Sequence, residues 1–270
     1  MYLTRHHTDR GPRWAVDGHF LPDTFDLRLL LALHAESVRE FLNSSVTNEK
    51  AIGVLLPPLE PVHEVWGCLP LEARKREQRR STAANVPTER VYAAERPALY
   101  FKAPGWRVVG HHAPVRVRDD SAWNISWPEL AVVINRHHEV IGYTAGGDVS
   151  ARSLESENPL YVSQARLYNG ACAIGPGLEL SSSEQLRELP ISIEVTRGGR
   201  SAFRASATIA QLNRSTEDLI AYLTRELDFP HGVFLLMGSP VVFPADFTLS
   251  IGDRVTISVG TLTLENEVAA

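Results

Sequence analysis

Between Phe25 and Leu42 the apolar residues of FDLRLLLALHAESVREFL recur at mixed spacings of three and four. That is the period of one helix face, so the pattern predicts a helix. STEDLIAYLTREL predicts another. Ser215 offers an N-cap, acidic residues fill the first turn, and Leu219, Leu223 and Leu227 form one stripe. Elsewhere apolar positions come in short runs rich in β-branched and aromatic side chains, with turn residues between them. ALYFKA, VVGHHAPVRVR, ELAVVIN and EVIGYTAG predict strands. ISIEVTRGGRSAFRASATIA predicts a hairpin turning on Gly198-Gly199. VFLLMGSPVVF and RVTISVGTLTL supply the last strands, with Gly252-Asp253 as a turn. There is no alternating strand–helix rhythm and no repeat, so the predicted class is β-rich α+β, a folded-over mixed sheet with peripheral helices.

Prolines 57, 58 and 61 punctuate the chain and predict a boundary between a small N-terminal domain, residues 1–58, and a main domain, residues 59–270. LEARKREQRRSTAANVPTER carries many charges and no sustained apolar stripe. It reads as an exposed helix followed by a loop; the plainer role is a solvated face, the sharper one a lid around Leu71 to Asn85. His6-His7 belongs to an end expected to fray, and His137-His138 to an exposed hairpin turn.

Charge and cysteine content narrow the classes. A net charge of -5 across 270 residues carries no footprint of nucleic-acid binding. The lysines are Lys50, Lys75 and Lys102; the remainder of the 27 lysine and arginine residues are arginine. Cys68 and Cys172 lack zinc-ligand spacing, and nothing supports a disulfide. No apolar run approaches the roughly 20 residues that cross a bilayer, and the start lacks the apolar core of a secretion signal. The expectation is a soluble, cytoplasmic protein acting on a small molecule.

Candidate chemistry centres on SAWNISWPELAVVINRHHEVIGYTAGGDVSAR, Ser121 to Arg152. Glu129 precedes one apolar strand and Asp148 follows the next, an arrangement that suggests the start of a metal site. Trp127 stands two residues before Glu129, where a further ligand would be simplest to place. GGDVSARSLESENPLY packs Asp148, Ser150, Arg152, Glu155, Glu157 and Asn158 into eleven positions. A polar, N-capped loop is the plainer reading. So many charges between apolar strands must otherwise pair or face a cavity.

PVHEVWG, RVYAAERPALYFKA, VVGHHAPVRVRDDSAW, PELAVV, VIGYTAGGDVSARSLESENPLYVSQARLYNGACAIGP and GSPVVFP…LSIGDRVTISVGTLTLENEV occur in the order found in the fumarylacetoacetate hydrolase family. Over roughly residues 59 to 268 the chain resembles that family, most of all its 2-keto-3-deoxy sugar-acid dehydratase branch. The resemblance implies a mixed β-roll or β-sandwich, a homodimer, and a divalent ion held by a Glu-x-Glu pair and a later Asp. Such an ion chelates an oxo acid and stabilises its enolate.

Carried over residue by residue, the second Glu of the pair matches Glu129 and the later Asp matches Asp148. The first Glu falls on Trp127. A lysine that assists catalysis falls on Arg166, while Lys102 is kept. An Asp after SAR falls on Ser153, and an aromatic-hydroxyl segment after VWG reads Cys68-Leu69-Pro70. Ser239 stands where a threonine binds the substrate's carboxylate. The departures gather where the chemistry should be.

The resulting candidates are Glu129, Asp148, Arg166 and Lys102 as catalytic residues. Trp127, Ser239, Arg152, Leu69 and His112 are the candidates for substrate contact. Two readings of the cofactor stay open: none, or magnesium on Glu129 and Asp148. Arginine keeps its proton and can hold an anion bidentately, so Arg166 and Lys102 can replace part of a lost cationic charge. Glu129 beside an indole is a candidate base, because desolvation favours the protonated form. The leading expectation is lyase or isomerase chemistry through an enolate (dehydration, C–C cleavage or cyclisation) in an altered, metal-poor site. The alternatives are a magnesium-dependent 2-keto-3-deoxy acid dehydratase or acylpyruvate hydrolase, and a non-catalytic binding protein.

Overall fold

The computed structural model describes residues 1–69 and 94–270. The segment Leu71 to Asn85, read above as an exposed helix or lid, lies outside the described residues.

Two sheets form the body. The larger has ten strands. Its path runs β3 (His19–Phe20), β2 (Gly11–Val16), β1 (Tyr2–Thr8), β10 (Cys172–Leu180), β9 (Val140–Ala151), β8 (Asn124–Ile134), β13 (Val233–Leu236), β5 (Glu64–Cys68) and β6 (Leu99–Pro104), with β4 (Val54–Leu56) also on β1. The smaller is ordered β12 (Arg200–Thr208), β11 (Pro190–Arg197), β14 (Arg254–Val259), β15 (Leu262–Ala269) and β7 (Val115–Arg116). This is the strand-rich architecture that the apolar pattern predicts. The Gly198-Gly199 hairpin forms, with Arg197 paired to Arg200.

β8 is buried throughout and β9 at every position but Val140, so both are covered on both faces. On one side Leu130, Val132 and Tyr143 pack with Ile193, Val255 and Ile257 of the smaller sheet. On the other, Ala131 and Val133 pack with Leu3, Trp14, Leu30, Val38, Leu42 and Phe234. Each fully buried Leu or Phe contributes about 1.5–3 kcal/mol, so these two cores hold the sheets in place.

Several expectations change. VVGHHAPVRVR supplies only the two-residue β7, and the strand in VFLLMGSPVVF stops at Leu236. The helix over Phe25 to Leu42 is two, α1 (Leu27–Leu30) and α2 (Ala35–Ser45). The β8–β9 turn breaks it: Arg136 N donates to Leu31 O at 3.0 Å, Asn135 Nδ2 to Leu33 O at 2.8 Å, and His137 Nε2 lies 3.1 Å from Ala32 O. Glu139 Oε2 then accepts from Ala35 N at 2.8 Å and starts α2. Carbonyls used by the turn cannot continue the helical ladder.

The N-terminus does not fray. β1 pairs with β2, β4 and β10, and His6 is buried edge-on against Phe20. The later helix ends at Leu223 and leaves Leu227 exposed. In the β8–β9 turn, His138 is exposed, but His137 is half-buried and stacks on His34 at 3.8 Å.

Candidate active site

The β8–β9 register sets the site's floor. Trp127 lies opposite Asp148, and Glu129 opposite Gly146. Side chains two apart share a face, so Trp127, Glu129, Asp148 and Ser150 all point the same way. β6 is four strands from β9 along the sheet path, about 19 Å in a flat sheet at the usual spacing. Yet Lys102 and Tyr100 of β6 both touch Asp148. The sheet must therefore roll over, and the roll is what closes the site.

Three groups converge on the Asp148 carboxylate. Tyr100 OH donates to Oδ2 at 2.5 Å, Arg166 Nη1 donates to Oδ2, and Lys102 Nζ pairs with Oδ1. Lys102 and Asp148 side chains have no exposed surface, and Arg166 almost none. Lys102 also donates to the carbonyls of Arg166 at 2.6 Å and Val149 at 3.1 Å. Arg166 ends α4 (Val162–Arg166), and α3 (Arg152–Glu157) supplies its second partner: Nε donates to Glu155 Oε1 at 2.5 Å. Glu155 Oε2 pairs in turn with Arg152. The crowd of charges in the sequence thus resolves into a chain running Lys102–Asp148–Arg166–Glu155–Arg152, buried over its first three members and half-buried at the last two.

Burial alone would raise Asp148, but the charges of Arg166 and Lys102, with Tyr100, hold it below the ordinary 3.8. Glu155 is likewise lowered: burial opposes, and Arg166 and Arg152 prevail. Burial and the facing Asp148 push the Tyr100 phenol well up, so it keeps its proton.

Glu129 is fully buried, and its Oε2 accepts from Gly238 N at 2.8 Å. The loop bearing that amide leaves β13 in a left-handed turn, with Gly238 at φ 84°, which favours glycine. Ser239 follows, fully buried, its Oγ accepting from Val241 N at 3.2 Å. Trp127 Nε1 donates to Ser150 Oγ at 3.0 Å, and its ring stands edge-on to Phe243 at 5.1 Å. Arg152 lies over Trp127 and Trp123 at 5.9 and 5.2 Å. Leu69 is half-buried at the end of β5, its amide on Ala98 O at 3.0 Å.

Glu129, Asp148, Arg166, Lys102, Trp127, Arg152 and Ser239 therefore gather around one end of β8 and β9. His112 is elsewhere: at φ 65° its side chain is 67% exposed and faces Glu265 at 3.5 Å. Two participants escaped the candidate set. Tyr100 sits two residues before Lys102 on the same strand face, a spacing that could have revealed it. Glu155 was noticed as a charge without a partner; its partner lies eleven residues on. Cys68 and Cys172 are buried free thiols, both pushed up to about 12 by burial, and so are poor nucleophiles.

These donors fit a divalent ion badly. Among the described residues two carboxylates face the site floor; Asp148 Oδ2 accepts from Tyr100 and Arg166, while Oδ1 pairs with the Lys102 charge but accepts no hydrogen bond. Where a third acid would stand there is an indole. Among the described residues no cluster of three or more His, Cys, Asp or Glu side chains is arranged to hold a metal. Nor is any described helix long and apolar enough to cross a membrane.

The chain is similar to several known proteins. Residues 71–269 match the fumarylacetoacetate (FAA) hydrolase C-terminal family. The chain is 38% identical over 213 residues to 2-dehydro-3-deoxy-D-arabinonate dehydratase of Saccharolobus solfataricus, covering 76% of this chain and 70% of the relative. It is 38% identical over 196 residues to a probable 2-keto-3-deoxyxylonate dehydratase of Haloferax volcanii, covering 71% and 68%. Among solved structures, a hexagonal crystal form of 2-keto-3-deoxyarabinonate dehydratase superposes with TM-score 0.86 at 32% identity, covering 100% of this chain and 99% of that one. A 2-keto-3-deoxy-D-arabinonate dehydratase complexed with magnesium and 2,5-dioxopentanoate gives 0.82 at 31% identity, covering 99% and 98%. A strand-rich roll, a buried ionic site and relatives that are dehydratases lead to one conclusion: the chain is an enzyme of the fumarylacetoacetate hydrolase family.

Proposed function

We propose that the chain is a lyase that removes water from a 2-keto-3-deoxy sugar acid or a near 2-oxo-acid analogue. The observation that carries this reading is the convergence of Lys102, Arg166 and Tyr100 on buried Asp148 beside the buried acid Glu129. Dehydration of such an acid begins by breaking a C3–H bond next to the keto group. The electron pair then resides on the keto oxygen as an enolate, which needs fixed positive charge or hydrogen-bond donors close by.

In this reading Glu129 takes the C3 proton. Arg166 and Lys102 supply charge that is already oriented, so little reorganisation is needed when the enolate forms. Arg166 stays protonated and acts as an electrostatic clamp, never as the base. When the enolate collapses, a C3–C4 double bond forms and the C4–O bond breaks. The hydroxide leaves with the proton returned from Glu129, so one water departs and the carboxylate is regenerated. In the same reading Ser239 meets the substrate's carboxylate, and Trp127, Arg152 and Leu69 make its remaining contacts.

Incubation with a panel of 2-keto-3-deoxypentonates and hexonates, followed by mass spectrometry, tests this reading. The expected product has lost one water, and Glu129→Gln abolishes its formation. A carbon fragment released instead would move the reaction to C–C cleavage. No turnover across the panel, or full turnover by the variant, would overturn the proposal.

A further inference from the structure

We propose that Tyr100 is a positioning residue that fixes the direction of the Arg166 guanidinium, and that Gly67 makes the room it needs to do so. The consequence for turnover rests on the dehydration reading above; the placement itself does not. The Tyr100 hydroxyl closes a ring of three polar groups. It donates to Asp148 Oδ2 at 2.5 Å and accepts from Arg166 Nη1 at 3.0 Å, and the same Nη1 donates to Asp148 Oδ2. A phenol has one proton to give and lone pairs to receive one, so every bond of the ring has its own donor. Arg166 Nε meanwhile donates to Glu155 Oε1. The guanidinium is thus held at two edges, and a planar fork held at two edges has one orientation. Without the hydroxyl, Nη1 keeps only one of these two partners, and a single charged contact fixes distance better than direction.

How the hydroxyl gets there depends on a residue with no side chain. Tyr100 of β6 stands directly opposite Gly67 of β5, so a side chain at residue 67 would share its face. A Cβ there would lie 2.6 Å from both Cζ and the hydroxyl oxygen of Tyr100, and 2.9 Å from Cε1. The far end of the ring therefore lies across the buried backbone of Gly67. Glycine weakens a strand interior and is found there where another group must approach closely. A ring that only covered the glycine would need no hydroxyl. This one directs its donor and its acceptor to the two charged partners, with Arg166 Cζ 5.3 Å from the ring centroid.

Two variants of the full-length chain separate placement from plain packing. Tyr100→Phe keeps the ring and removes the hydroxyl; Gly67→Ala keeps the hydroxyl and displaces the ring. Circular dichroism establishes that each folds, and Tyr100→Phe alone carries the test should Gly67→Ala fail to fold. Nitrogen-15 NMR of the arginine side chains reads the orientation without substrate. Wild type is expected to show separate Nη resonances for Arg166, identified by their absence from Arg166→Lys, because rotation about the Cζ–Nη bonds is slowed. In both variants these resonances are expected to merge. Separate resonances that persist in Tyr100→Phe overturn the proposal whatever the substrate. With a substrate that turns over, kcat should fall roughly 10- to 100-fold in each variant while KM stays within about twofold. The double variant should lose little more than either single one, because both act on the same bonds. Losses that multiply, or that fall on KM alone, overturn the proposal as well. A failed substrate panel strikes the dehydration reading and leaves the resonances to decide this one.

Discussion

Asp148 is fully buried and Glu60 largely so, and the two acids are held in opposite ways. Asp148 lies between Lys102 and Arg166 and is kept ionised below its ordinary range. Glu60 sits under the N-terminal strands and receives only neutral donors on Oε1, Trp14 Nε1 and Leu27 N, each at 2.9 Å. Its neighbour Asp26 has captured Arg28, which pairs with Glu60 Oε2 only at 4.0 Å. Burial, then the neighbouring Asp26, pushes Glu60 up to about 7. The lesson is that burial does not decide the state of an acid; the sign of what is buried with it does. Charge has been concentrated where an anionic intermediate would form and left out where the fold only needs a hydrogen-bond acceptor.

The largest effect should come from Asp148→Asn. It leaves Lys102 and Arg166 buried without their shared counter-charge, a loss of about 3–5 kcal/mol by analogy with broken buried pairs. Urea denaturation measures it, and a loss no larger than that of a surface substitution would mean that the cluster is not buried as described. Arg166→Lys keeps a charge but loses the fork that reaches both Asp148 and Glu155. Turnover should fall on the order of 10²-fold, as for one oriented donor removed, with the circular dichroism spectrum unchanged.

The pH dependence separates the two acids. Glu60 holds a proton in the folded chain that the unfolded chain releases between the ordinary 4.5 and about 7. Its contribution to stability is therefore fully present below 4.5 and lost as pH rises through about 7. Glu60→Gln should flatten that slope in melting temperatures taken across this window. For Asp148 the sign reverses: its contribution is present above 3.8 and lost as acid protonates it. The acid limb should survive in Glu60→Gln. The smallest effect belongs to Trp127→Phe, which gives up the bond to Ser150 Oγ and should cost about 1 kcal/mol.

Much of the fold was legible because alternation and turn residues act locally. The hairpin at Gly198-Gly199 and the two long central strands follow from runs that any sheet would need. What was not legible depended on distant contacts. Nothing between Phe25 and Leu42 announces that the β8–β9 turn will take the carbonyls of Leu31, Ala32 and Leu33. At the site, Glu129, Asp148, Arg166 and Lys102 could be singled out by type and by resemblance. Their pairing could not, because Lys102 reaches Asp148 only through the roll of the sheet. His112, also a candidate, has a positive φ and an exposed side chain facing Glu265, features that its own residue type does not announce.

The central claim is that side-chain cations next to Glu129 suffice to draw a proton from carbon beside a keto group. The most direct measurement follows deuterium uptake at C3 of a 2-keto-3-deoxy acid in D₂O by NMR, with chelator present throughout. The account predicts enzyme-dependent C3 labelling, or dehydration with loss of one C3 hydrogen per turnover, in wild type and neither in Glu129→Gln. Labelling that appears only when magnesium is added would contradict it.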